Sequence, residues 1–157
     1  MTDKELTRVE GERKRYSLAG VGTMRLEGFS GRRATAEARG RNWSFGRSGF
    51  WQRAIEATDS TGVVVGVFEP RTLRGGGTLR WGARELQLRP ASAWRSRYAL
   101  ADDGRELALL EGKGWGKRPV KVTSADGELD PGLLLFATFV VRALAEDATA
   151  AASGATA

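Results

Sequence analysis

Apolar and polar residues alternate along most of the chain. In "RNWSF", Trp43 and Phe45 share a face. "RELQLR" sends Leu86 and Leu88 one way, and Glu85, Gln87 and Arg89 the other. "WRSRYALA" puts Trp94, Ser96, Tyr98 and Leu100 on one face and Arg95, Arg97 and Ala99 on the opposite one. "FWQRAIEAT" groups Trp51, Ile55 and Ala57, with Arg53 interrupting that face. A period of two belongs to a strand with one dry and one wet side. Turn chemistry separates these runs. "TDSTG" (58–62), "ADDG" (101–104) and "SADG" (124–127) each end in glycine, which takes the positive φ of a tight turn. "RGGG" (74–77) and "GKGWG" (112–116) read as loops or bulges. The spacing predicts roughly ten to twelve short strands, the density of an all-β sandwich or barrel. A weak internal repeat aligns "FWQRAIEATDSTGVVVGVFEP" with "AWRSRYALADDGRELALLEGK", as a chance likeness of two hairpins or as repeated meander units.

The pattern changes at Asp130. Asp130 suits the N-cap of a helix and Pro131 its first turn. Leu133, Leu134, Leu135, Phe136, Phe139, Val140 and Val141 then cover every side of the helical wheel. Thr138 is the polar exception, and its hydroxyl can bond back to a carbonyl one turn earlier. Arg142, Glu146 and Asp147 mark the exit into water. A helix apolar all round lies in a membrane or inside protein. The run from Gly132 to Val141 is well short of the ~20 residues that span a bilayer. Enclosure by protein remains, and the other material is sheet. A flat sheet covers one side of a helix, whereas a closed sheet of about eleven or twelve strands covers all of them. The expected fold is therefore all-β with one C-terminal helix, a closed barrel of about twelve strands around a central hydrophobic helix. The barrel is expected over 5–148, with its helix at 130–147. Residues 149–157, small and featureless, are expected to form a disordered tail.

Composition narrows the function. The 157-residue chain contains no cysteine and no histidine. Disulfides, thiol nucleophiles and Cys-ligated metal sites are excluded, as are histidine bases and ligands. No catalytic pair, metal site or cofactor is expected; the densest acids, Asp102, Asp103 and Glu106, fall in a hairpin turn that favours acids for backbone reasons. The formal net charge is +6 and the pI about 10.3. Such an excess attracts polyanions, although abundant Arg, Ala and Gly also follow from a GC-rich coding genome. The N-terminal "MTDKELTRVEGERKR" has no apolar core of a signal peptide, so a cytoplasmic location is expected, peripheral to a membrane if lipid is the ligand.

These features resemble the tubby-like superfamily, which includes tubby domains, phospholipid scramblases and LURP-one-related proteins. The likeness covers roughly residues 5–148. It rests on the strand meanders, on hairpins such as "TDSTGVVVG" and "ADDGRELAL", and on "DPGLLLFATFVVRAL". It implies a bacterial member of the LURP-one or scramblase-like branch, with a barrel of about twelve strands around its C-terminal helix. It also implies anionic phospholipid as a ligand. The chain departs from scramblases in lacking a cysteine cluster, a transmembrane extension and a D-x-[DN]-x-[DN]-G calcium loop.

The expected function is a non-enzymatic binding module for anionic phospholipid or another polyanion at a membrane surface. The alternative is a protein-interaction scaffold that ignores lipid. The candidate anion site is "GKGWGKRPVK", where Lys113, Lys117, Arg118 and Lys121 flank Trp115 on a glycine-rich segment. Arg95 and Arg97 extend it, on a face that Arg80, Arg84 and Arg89 can share. These charges also suit a solvated loop and a strand face of Arg–Glu pairs. Nucleic acid is not the expected partner, because the aromatics of "RGRNWSFGRSGFWQR" follow strand alternation.

Overall fold

A computed structural model of the chain describes residues 2–11, 14–27, 33–48, 54–71, 75–92, 96–112, 120–124 and 129–154. Among them are twelve strands and one helix. The strands are β1 (Thr2–Arg8), β2 (Arg15–Leu18), β3 (Gly22–Glu27), β4 (Arg33–Ala38), β5 (Arg41–Ser48) and β6 (Ala54–Asp59). They continue as β7 (Val64–Pro70), β8 (Gly77–Trp81), β9 (Arg84–Ser92), β10 (Ser96–Asp102), β11 (Arg105–Gly112) and β12 (Val120–Ser124). The helix, α1, is Pro131–Gly154. Each strand pairs antiparallel with its neighbours in sequence, and β1 pairs with β12, so the sheet is a closed barrel. The closing strand is shared along its length: Thr2–Glu5 face β12, and Leu6–Arg8 face β2.

Alternation builds the wall. In β4, Ala34, Ala36 and Ala38 point inward; in β5, Trp43 and Phe45 do. Register places Ala34 opposite Phe45 and Ala36 opposite Trp43. Small inward residues beside large ones leave room for the helix while filling the gap around it. In β10 strict alternation fails. Its register shifts between Arg97 and Tyr98 against β9, and between Leu100 and Ala101 against β11. Ala99, Leu100 and Ala101 are all buried, so Ala99 is not on a wet face as the alternation predicts. A bulge adds a residue on one side of a strand pair and breaks the period of two.

The helix fills the barrel as its all-round apolarity predicts. Leu133 to Val141 are all buried, Thr138 included. The helix touches β3, β4, β5, β7, β10, β11 and β12, which surround it. Phe136 packs against Phe45 and Trp81, with ring centroids 5.2 and 5.7 Å apart, and Phe139 packs on Phe45 at 5.6 Å. The Thr138 hydroxyl donates to the Leu134 carbonyl at 2.7 Å, so no polar atom enters the core unpaired there. Asp130 is the N-cap: its Oδ1 accepts from the Gly132 N–H at 2.8 Å and the Leu133 N–H at 3.4 Å. The helix runs past 147 to Gly154, through residues that their composition assigns to a tail. Ala148, Ala150, Ala151 and Ala152 have the best helix propensity, and the buried turns before them have already met the nucleation cost.

Gly132 shows how tightly the helix start is held. A Cβ there would lie 2.6 Å from both Trp43 Cζ2 and Trp81 Cζ2. Glycine to alanine inside a helix normally stabilises by about 1 kcal/mol. Here the two indoles are part of the packed core, so overpacking outweighs propensity. Gly132→Ala is expected to destabilise by about 1–3 kcal/mol, read as a lower urea midpoint. A higher midpoint would show that the indoles yield freely.

Candidate functional site

The meander sorts its connections by end. The turns β2–β3, β4–β5, β6–β7, β8–β9 and β10–β11 span two to four residues and lie at one end. The connections β1–β2, β3–β4, β5–β6, β7–β8, β9–β10 and β11–β12 span three to seven residues and leave from the other. The helix enters at the turn end, where Gly132 meets Trp43 and Trp81. It exits among the longer connections: the position of a Gly112 Cβ lies 3.2 Å from Ala145, and Arg47 binds Asp147 at 2.7 Å.

At the exit, the apolar helix changes to charge under cover. The Arg142 guanidinium lies over the Tyr16 ring, 4.8 Å from its centroid, and its Nε is 3.4 Å from Glu146 Oε1. Burial raises the Glu146 carboxyl above the usual range, partly offset by Arg142. Burial also raises the Tyr98 phenol.

Of the residues expected to bind an anion, Arg97 on β10 and Lys121 on β12 stand near this end. Lys113, Trp115, Lys117, Arg118 and Arg95 lie outside the described residues. Lys121 stands on β12 in register with Glu5 and Glu111, its side chain outside what is described. Arg97 is half-buried and pairs across the strands with Glu111 at 3.2 Å. Arg80 lies 3.9 Å from Glu69 and 3.7 Å from Glu85; Arg84 binds Asp102 at 2.9 Å. Cross-strand carboxylates thus answer these three arginines.

The turn end holds a constellation that local sequence does not announce. Arg39 and Gly40 form the β4–β5 turn with φ of 51° and 75°. Two positive φ values in a two-residue hairpin match the right-handed twist of the strands it joins. Arg41, next along, places its Cζ 5.1 Å from the Trp43 ring centroid, with Nη1 3.8 Å from Asp130 Oδ2. Arg84 opens β9 after the β8–β9 turn, with the β6–β7 turn between the two. With Trp43 and Asp130 these arginines line a recess of about 380 Å³ above the helix start, completed by Ala38, Leu129 and Pro131. A smaller dip of about 230 Å³ on the outer wall is lined by Arg15, Thr23, Arg25, Thr35, Glu37 and Asn42, among others.

Chemically, the recess offers fixed positive charge, aromatic surface and the start of a helix. No protein-family model, curated protein or solved structure matches the chain. Among the described residues, no helix is long and apolar enough to cross a membrane.

Proposed function

We propose that the chain is a non-enzymatic, tubby-like binding module that docks on anionic phospholipid through the helix-exit end of its barrel. One observation carries the reading: six strand–strand connections gather at one end, including every one of five residues or more. In sequence these connections bring Arg13, Lys14, Arg32, Arg53, Arg71, Arg74, Arg95, Lys113, Lys117 and Arg118. They also bring Phe29, Phe50, Trp51, Leu73, Trp94 and Trp115, while their acids are Glu10 and Glu12. The turns at the other end bring one cation, Arg39, and no aromatic residue. Cations with tryptophan and phenylalanine suit an anionic headgroup layer, where aromatic rings sit between water and hydrocarbon. The filled barrel supports the same reading, since α1 occupies the interior that a larger barrel gives to a ligand.

Co-sedimentation with neutral and anionic liposomes at about 0.15 M salt, where surface charge is partly screened, tests the proposal. Binding to anionic vesicles alone is expected, lost in a Lys117→Glu/Arg118→Glu variant that keeps its melting temperature. Equal failure on all vesicles would sink the lipid reading and favour a protein-binding scaffold.

A further inference from the structure

Trp43 is 3% exposed, yet its indole Nε1–H has no hydrogen-bond partner. Buried donors are nearly always paired, so an orphan among them calls for a reason. Its position is informative. The Cζ2 and Cε2 atoms of Trp43 face Gly132, with a Cβ there 2.6 and 2.9 Å away. Nε1 is bonded to Cε2, so the unpaired donor lies beside the first turn of α1, and the Trp43 ring also lines the turn-end recess. Arg39, Arg41 and Arg84 line the same recess.

The geometry points to a binding site for a small phosphate-bearing molecule, held by Arg39, Arg41 and Arg84 with the Trp43 N–H beneath. Geometry favours phosphate over carboxylate. Three guanidinium groups and one carboxylate, Asp130, line the recess, while Asp102 binds Arg84 from outside it and Asp59 acts on Arg41. Net charge therefore does not choose the ligand; the number of acceptors does. Three guanidinium forks can share the several oxygens of a phosphate, where a carboxylate offers two. The volume, about 380 Å³, lies within the range of small-molecule pockets. The helix adds its dipole rather than donors, because Asp130 already accepts from Gly132 and Leu133. Arg84 keeps Asp102 as a partner outside the lining. Arg41 has the looser partner, Asp130 at 3.8 Å, and turns from it to the ligand. Arg39 holds a left-handed backbone that asparagine or glycine would adopt at lower cost. This site is opposite the lipid-docking end and does not depend on it.

Asp130 gives the site a signature. It is the recess's own anion and opposes an incoming one. Asp130→Asn keeps the N-cap and removes the charge. The experiment is titration of the labelled protein with inorganic phosphate, phenyl phosphate and acetate, followed through the indole N–H resonances. Trp43 is identified by its through-space contact to Gly132, so no substitution at the indole is needed. Saturable movement of that resonance by both phosphates is expected, with a dissociation constant of about 1 mM or tighter, and little response to acetate. Stronger binding of phenyl phosphate would identify an ester as the ligand; preference for inorganic phosphate would identify the free anion. Arg39→Ala and Arg41→Ala are expected to weaken binding about tenfold each, the scale of one charge-assisted hydrogen bond. Asp130→Asn should tighten it. Arg39→Asn should melt higher yet bind more weakly, separating the arginine's role from stability. A Trp43 resonance that stays fixed while other resonances move would overturn the proposal, as would arginine variants with unchanged affinity.

Discussion

Leu135→Asp is expected to abolish cooperative folding at 25 °C. Leu135 is fully buried at the middle of the enclosed part of α1. A carboxylate placed there meets apolar side chains on every side. Neutralising the group by protonation reduces the penalty, but an unpaired buried polar group still costs several kcal/mol. Loss of leucine packing adds about 2–5 kcal/mol. A domain stability of about 5–15 kcal/mol leaves little margin against that sum. Leu135→Met, which conserves volume, should cost less than about 1.5 kcal/mol and serves as the control. Circular dichroism during thermal unfolding reads both. A Leu135→Asp variant that melts within a few degrees of the parent would show that the barrel does not enclose the helix. Phe139→Asp, at a position 2% exposed, should behave alike.

Phe136→Ala is expected to lower stability by about 3–5 kcal/mol while leaving the fold intact. Phe136 bridges Phe45 on β5 and Trp81 on β8, so its loss leaves a hole between the axis and this part of the wall. The cost of a cavity depends on how well its surroundings collapse. Collapse is hard here, because every strand is hydrogen-bonded on both sides around the ring. The urea midpoint should fall with little change in slope, since the same surface is exposed on unfolding. A loss below about 1.5 kcal/mol would mean that the wall closes over the gap, in contrast to the rigid packing of protein interiors.

Much of this architecture is written locally. The pairs Trp43/Phe45 and Leu86/Leu88 declare their inward faces by alternation, and Asp130-Pro131 declares a helix start. The need for a closed sheet follows from one physical demand: a short helix apolar on all sides must be surrounded. What alternation cannot carry is a bulge. The register shifts around Tyr98 and Leu100 depend on how β9, β10 and β11 meet, and they bury Ala99 despite its place in the pattern. The turn-end recess was illegible for a related reason. Arg39, Arg41, Arg84 and Asp130 lie on segments that only the finished ring brings together. The nearest local sign was an arginine at φ 51°, and backbone conformation is not visible in residue names. The paired state of Arg97 was foreshadowed, since alternating Arg and Glu on facing strands readily match across a sheet.

The division of β1 between β12 and β2 has a consequence for how each copy of the protein matures. Synthesis delivers the strands in order, and the ring cannot shut before β12 is made. The segment that fills the ring, α1, comes later still. Until then the earlier strands carry inward faces with no interior to face and an edge with no mate. Edges of that kind recruit other chains. Contacts between the first and last strands are also distant in sequence, and such contacts slow folding. The newborn chain therefore passes through a stage in which it depends on chaperones or on speed, and that stage ends only when α1 arrives.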